Sequence, residues 1–117
     1  MRAISQDIFG GPEVLRLVDT ERPQPLPTEV LIRVHAAGVN PVDAKTRAGQ
    51  GVAGILGGPP FILGWDVSGV VEEIGHGVHT LAVGDEVYGM PWFPRAASAY
   101  ALILVSNAPA IRSPRVG

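Results

Sequence analysis

Residues 75 to 80 read GHGVHT, and the glycines and histidines there could serve two chemistries. One is a phosphate cradle. A dinucleotide fingerprint needs G-x-G-x-x-G between a strand and a helix, so that the glycines let the backbone approach a pyrophosphate at the helix N-terminus. Gly75 and Gly77 supply two of its glycines, but Thr80 stands at the third position. The following LAVGDEV contains a turn and a strand rather than a helix, so these glycines are read as turn residues. A Walker loop is also missing, because Lys45, the sole lysine, follows no such motif. The second chemistry is metal binding by His76 and His79 as an H-x-x-H pair. No third ligand is evident nearby, and the glycine turn favours solvated histidines. His35 shares a strand face with Arg33, which suits a structural or surface role.

The elements that must position any site are mostly strands. In EVLIRVHAAGVN the alternation places Val30, Ile32, Val34 and Ala36 on one face and Leu31, Arg33, His35 and Ala37 on the other, which predicts a strand. EVLRLV at 13 to 18 reads as another, entered through Gly10, Gly11 and Pro12, and ERPQPLPT at 21 to 28 as an exposed connection. PVDAKTRAG opens with a proline suited to a first helical turn and ends on Gly49, predicting one or two helical turns. GQGVAGILGGPP is too rich in glycine for regular structure and reads as a mobile loop. DVSGVVEEIG predicts a strand with a bulge or close backbone approach at Gly69. Gly84-Asp85 reads as a turn before the short strand EVYGM, and SAYALILV at 98 to 105 as the last strand.

At 117 residues the chain suits one domain, able to bury roughly two thirds of its unfolded surface. Its 15 glycines and 11 prolines are about double the ordinary share and imply many tight turns. A partly open antiparallel β-barrel closes such a chain's edges. The formal charge of −2 has no basic cluster, which argues against a nucleic-acid or anionic-membrane partner. Without cysteine there is neither disulfide nor thiolate-bound zinc. The first residues lack signal-peptide anatomy, no uncharged run is long enough to span a membrane, and the cytoplasm is the expected compartment. Residues 91 to 117 carry three arginines and no acid, which marks 102–117 as an atypical or truncated tail on a 1–101 domain.

GVNPVDAKTRAG, LGWDVSGVVEEIGHGVHTLAVGDEVYGM and SAYA, in this order and spacing, resemble the N-terminal GroES-like domain of the medium-chain dehydrogenase/reductase superfamily. Within it, the chain is similar to the zinc-independent quinone oxidoreductase branch. The resemblance implies a mainly β GroES-like barrel with one or two short helices. It also implies a C-terminal Rossmann domain that these residues do not include. Zinc relatives hold a cysteine ligand where Asn40 stands and a histidine where Trp65 stands, and neither an asparagine nor an indole replaces them.

The chemistry implied is hydride transfer from NADPH to a quinone or an activated C=C bond, with the protein aligning cofactor and acceptor. Asn40 matches an asparagine that faces the nicotinamide end, or else stabilises the turn before Pro41. Asp43 and Asp66 match acidic positions of the same cleft, or else serve as helix-cap or turn carboxylates. Lys45 departs from the pattern, since many relatives place an aromatic there. Trp65, Trp92 and Tyr100 are candidates for a flat wall against a ring-shaped acceptor, with a core role as the alternative. Asp43, Lys45, Trp65, Asp66 and Trp92 are thus the expected substrate-side residues and Asn40 the cofactor-side one. The chain alone is expected to bind NADPH weakly and to be catalytically incompetent. The competing reading is a stand-alone barrel that associates with itself or another protein through a bared apolar surface.

Overall fold

The computed structural model describes residues 1–90, 98–107 and 111–113. Strand β3 (Glu29–Gly38) is its spine, as the alternation predicts. It pairs antiparallel with β4 (Asp66–Ile74) on one side and β6 (Ile103–Asn107) on the other. Strand β5 (Glu86–Gly89) follows the Gly84-Asp85 turn and pairs with β4, and β7 (Ile111–Arg112) completes the sheet in the order β6-β3-β4-β5-β7. A separate antiparallel pair comprises β1 (Arg2–Gln6) and β2 (Leu15–Asp19). Residues 101 and 102 join the two sheets. The Val34 N–H donates to the Leu102 carbonyl at 2.8 Å and the Leu102 N–H to the Arg2 carbonyl at 3.2 Å. The result is mainly β and only partly closed, as expected.

The main core lies on the inner face of the larger sheet. Val30, Ile32, Val67, Val71, Val87, Leu104 and Ile111 are buried there together. The simple alternation of β3 fails after Val34. His35 is an extra residue in the ladder, since Val34 pairs with Gly69 while Ala36 pairs with Ser68. That bulge shifts the phase by one, so Ala37 rather than Ala36 packs with Val34 against the core. Gly69 sits opposite the irregularity, where a Cβ would collide with the Arg33 carbonyl. The close approach expected at this glycine is therefore present.

Two other expectations need correction. Residues 12 to 14 form a 3-10 turn, so the strand expected from 13 begins at Leu15. The glycine-rich loop contains a short helix, α2 (Ala53–Leu56), because Ala53 is buried and Leu56 packs on Leu63 and Trp65. Beyond residue 101 the sheet continues. β6 supplies an edge strand, and Leu104, Ser106 and Ile111 are buried, so these residues are part of the fold despite their acid-free composition. Among the described residues no helix is long and apolar enough to cross a membrane.

Candidate functional site

Where β3 leaves the sheet, Asn40 begins helix α1 (Pro41–Arg47), and β4 starts directly opposite at Asp66. Gly38 and Asp66 are ladder partners. A Cβ at Gly38 would lie 2.8 Å from the Asp66 Cβ and 3.0 Å from its Oδ2, so glycine at 38 leaves the room this carboxylate occupies. From there Asp66 Oδ2 accepts a 2.7 Å hydrogen bond from Asn40 Nδ2. Asp43 Oδ2 accepts from the Asn40 backbone N–H at 2.8 Å, the carboxylate half of a capping box. Pro41 at the first helical position costs nothing, because that N–H has no intrahelical partner anyway. Asn40 is thus held at its main chain by one carboxylate and at its side chain by the other.

Asp43 is buried and its carboxylate interacts with Tyr100, while neither Asp43 Oδ1 nor the Tyr100 hydroxyl has a hydrogen bond of good geometry. Burial raises the Tyr100 pKa well above the ordinary tyrosine value. The charge of Asp43 and its interaction with the hydroxyl add to the rise, and Asp66 contributes last. Tyr100 is seated by its main-chain N–H bond to the Leu63 carbonyl at 3.0 Å. Gly64, at φ +101°, makes space for the ring, since a Cβ there would lie 2.7 Å from Tyr100 Cδ1.

The sequence-predicted site residues do not all converge. Asn40, Asp43 and Asp66 come together. Lys45 is exposed on α1. Trp65 is 1% exposed and packs with Leu63 against Val42, Val52, Leu56, Phe61 and Tyr100, so it anchors the two helices and offers no open wall. This is the core placement that the sequence left as the alternative to its ligand role. The reason is packing, because the apolar sides of both helices need a large partner on the sheet. Trp92 lies outside the described residues. His76 and His79 are exposed on the turn after β4, and His35 is the exposed bulge residue of β3. Among the described residues no group of three His, Cys, Asp or Glu side chains is placed to hold a metal ion.

Sequence reasoning missed an open trough of about 520 Å³ beside Asp66, lined also by Ala36, Gly38, Ser68, Tyr88 and Met90. These residues share one face because side chains two apart on a strand point the same way. Ser68 pairs with both Ala36 and Tyr88 across the sheet. Alternation in DVS and in YGM held that signal. The volume suits one ring-bearing group. The turn at 75 to 80 has no helix after it, so the described residues there offer no cradle for a pyrophosphate.

Residues 26–105 match the alcohol dehydrogenase GroES-like domain. The quinone oxidoreductase of Sus scrofa is 41% identical over 104 residues, which make up 87% of this chain and 31% of that protein. The solved quinone oxidoreductase from Coxiella burnetii has a TM-score of 0.92 at 43% identity, covering 97% of this chain and 36% of that one. A mycobacterial protein solved in complex with NADPH has a TM-score of 0.80 at 36% identity, covering 97% of this chain and 32% of that one. The chain spans about a third of the length of these relatives.

Proposed function

The chain belongs to the alcohol dehydrogenase GroES-like domain family, and on that premise we propose that it is the acceptor-side domain of an NADPH-dependent, zinc-independent reductase of quinones or activated C=C bonds. In this reading it is a cytoplasmic enzyme part that handles small molecules, with no nucleic-acid or membrane partner. Bound NADPH would supply the hydride. This chain's residues would supply the ring end of the cleft, and they fit only that end, because the trough beside Asp66 takes a ring while the Gly75–Thr80 turn is no phosphate cradle.

The observation that carries the reading is the constellation of Asn40, Asp43 and Asp66 at the mouth of the sheet, in a chain 43% identical to a solved quinone oxidoreductase. Its donor chemistry supports the metal-free part. The zinc relatives' cysteine position holds an asparagine whose amide nitrogen is committed to Asp66, and their histidine position holds a buried indole. Asp43 and Asp66 fix where α1 leaves the sheet, and so fix the edge against which cofactor and acceptor would align.

A chimera tests this. The chain replaces the matching first third of the C. burnetii enzyme, and cofactor oxidation is followed with quinone and enone acceptors. We expect turnover that a chelator leaves unchanged, and none from the chain alone. A folded chimera that binds NADPH and reduces neither acceptor class overturns the reading.

A second reading, self-association, is favoured by Leu17 at 65% and Leu102 at 46% exposure, which border one shallow apolar hollow with Ile4 and Val34. Light scattering over a concentration series tests it, and a monomer throughout counts against it.

A further inference from the structure

The apolar hollow bordered by Leu17 and Leu102 has a volume of about 320 Å³ and lies where the two sheets join. Ile4 and Leu17 face each other across the β1–β2 ladder, and Arg2 lies two residues along β1 on that same face. Val34 and His35 both border the hollow from β3, because the bulge interrupts the alternation that would otherwise separate neighbours. The bulge thus adds an imidazole to an aliphatic wall. Arg2 and His35 are the basic groups of the lining, and no carboxylate lines it. In contrast, the trough carries Asp66, and the hollows beside Glu29 and Glu72 carry two acids each. Both basic side chains are exposed, and among the described residues neither makes an ion pair. Asp19, the ladder partner of Arg2, is bonded instead to the Met1 ammonium at 2.7 Å and does not line the hollow.

An aliphatic wall with basic groups at its rim complements a ligand that joins an apolar tail to an anionic head. We propose that this hollow binds a medium-chain aliphatic carboxylate. Its tail lies on Ile4, Leu17 and Leu102, and its head is held at the rim by the Arg2 guanidinium. The His35 N–H is the second donor, which a neutral imidazole presents as well as a charged one. Apart from Tyr100 the apolar lining is aliphatic, which suits a chain better than a flat ring. The head stays beside water on exposed groups, so little desolvation opposes binding. A second copy of the chain fits the hollow less well. A two-fold contact there would bring two copies of Arg2 and of His35 together with no carboxylate in the lining between them. The site includes none of Asn40, Asp43 and Asp66, so it does not rest on the reductase reading.

The test titrates the full chain with octanoate, with its neutral counterpart 1-octanol and with the short carboxylate butyrate. The amide resonances of Leu17, His35 and Leu102 are followed by NMR. Octanoate should bind about three- to fivefold more tightly than octanol, and at least about tenfold more tightly than butyrate. Added salt should shrink the first ratio. Arg2→Gln should bring that ratio close to one and leave octanol binding unchanged, whereas Leu17→Thr should weaken octanoate and octanol alike. The β1–β2 amide resonances check that each variant is folded. Octanol affinity equal to that of octanoate, a preference that survives Arg2→Gln or ignores salt, or shifts confined to other residues would each overturn the proposal. Shifts at Leu17 and Leu102 that grow with protein concentration and do not respond to octanoate would assign the hollow to a second copy, and so overturn it too. None of these readouts involves turnover, so their failure and the failure of the reductase assay are separate results.

Discussion

Tyr100 interacts with the buried Asp43, and neither the Tyr100 hydroxyl nor Asp43 Oδ1 has a hydrogen bond of good geometry. A buried polar atom without a partner costs stability, so deleting one of the two should cost little. Tyr100→Phe should leave stability at neutral pH within about 1 kcal/mol of wild type, or raise it. Denaturant unfolding measures this, and a loss well beyond that range would mean that the hydroxyl has a partner.

The same pair predicts an alkaline limb. Folding raises the Tyr100 pKa, so above pH 10.0, the ordinary tyrosine value, the unfolded chain has released a proton that the folded chain keeps. Stability must therefore be at its full value below that pH and fall as pH rises towards the folded pKa. Tyr100→Phe should flatten the fall. Asp43→Asn should instead lower the Tyr100 pKa, because it removes a nearby negative charge, and tyrosinate absorbance during an alkaline titration reads this directly. An unchanged titration would show that burial alone sets the shift.

Three glycines should respond to alanine in three ways. Gly69→Ala drives a Cβ into the Arg33 carbonyl and should cost more than about 3 kcal/mol. Gly38→Ala brings a Cβ to 2.8 Å from the Asp66 Cβ, which yields only if its backbone shifts, and should cost about 1 to 3 kcal/mol while breaking the Asn40–Asp66 bond. Gly54 lies in α2 with nothing near its missing Cβ, so Gly54→Ala should stabilise by about 0.4 to 1 kcal/mol. Thermal melts of the three variants check the order.

Trp65→Ala should cost about 3 to 5 kcal/mol, because the indole is 1% exposed and joins both helices to the sheet. Weakened binding with unchanged stability would restore the ligand role the sequence suggested for this residue.

Local pattern was enough to read β3 from its alternation, α1 from Pro41 and its glycine stop, the Gly84-Asp85 turn, and the close approach at Gly69. Each depends on neighbours a few residues apart, where φ preference and side-chain period act directly. Asn40, Asp43 and Asp66 stood out through the resemblance to the GroES-like family, with turn or helix-cap roles as the alternative.

Their partnerships were not visible in the sequence. Asn40 and Asp66 are 26 residues apart and meet only because β3 and β4 pair in one register. Tyr100 reaches Asp43 through a segment bonded to residues 63 and 64. The His35 bulge shifted one phase of β3, and two short helices drew Trp65 inside. Composition made residues 102 to 117 look foreign to the domain, yet Leu104 and Ile111 are core. Sequence alone thus determined β3, β4, α1 and the Gly84-Asp85 turn through short-range conformational preference, but neither β1 nor α2. Tertiary structure decided which side chains meet, because ladder register and burial are set by contacts between segments far apart in the chain.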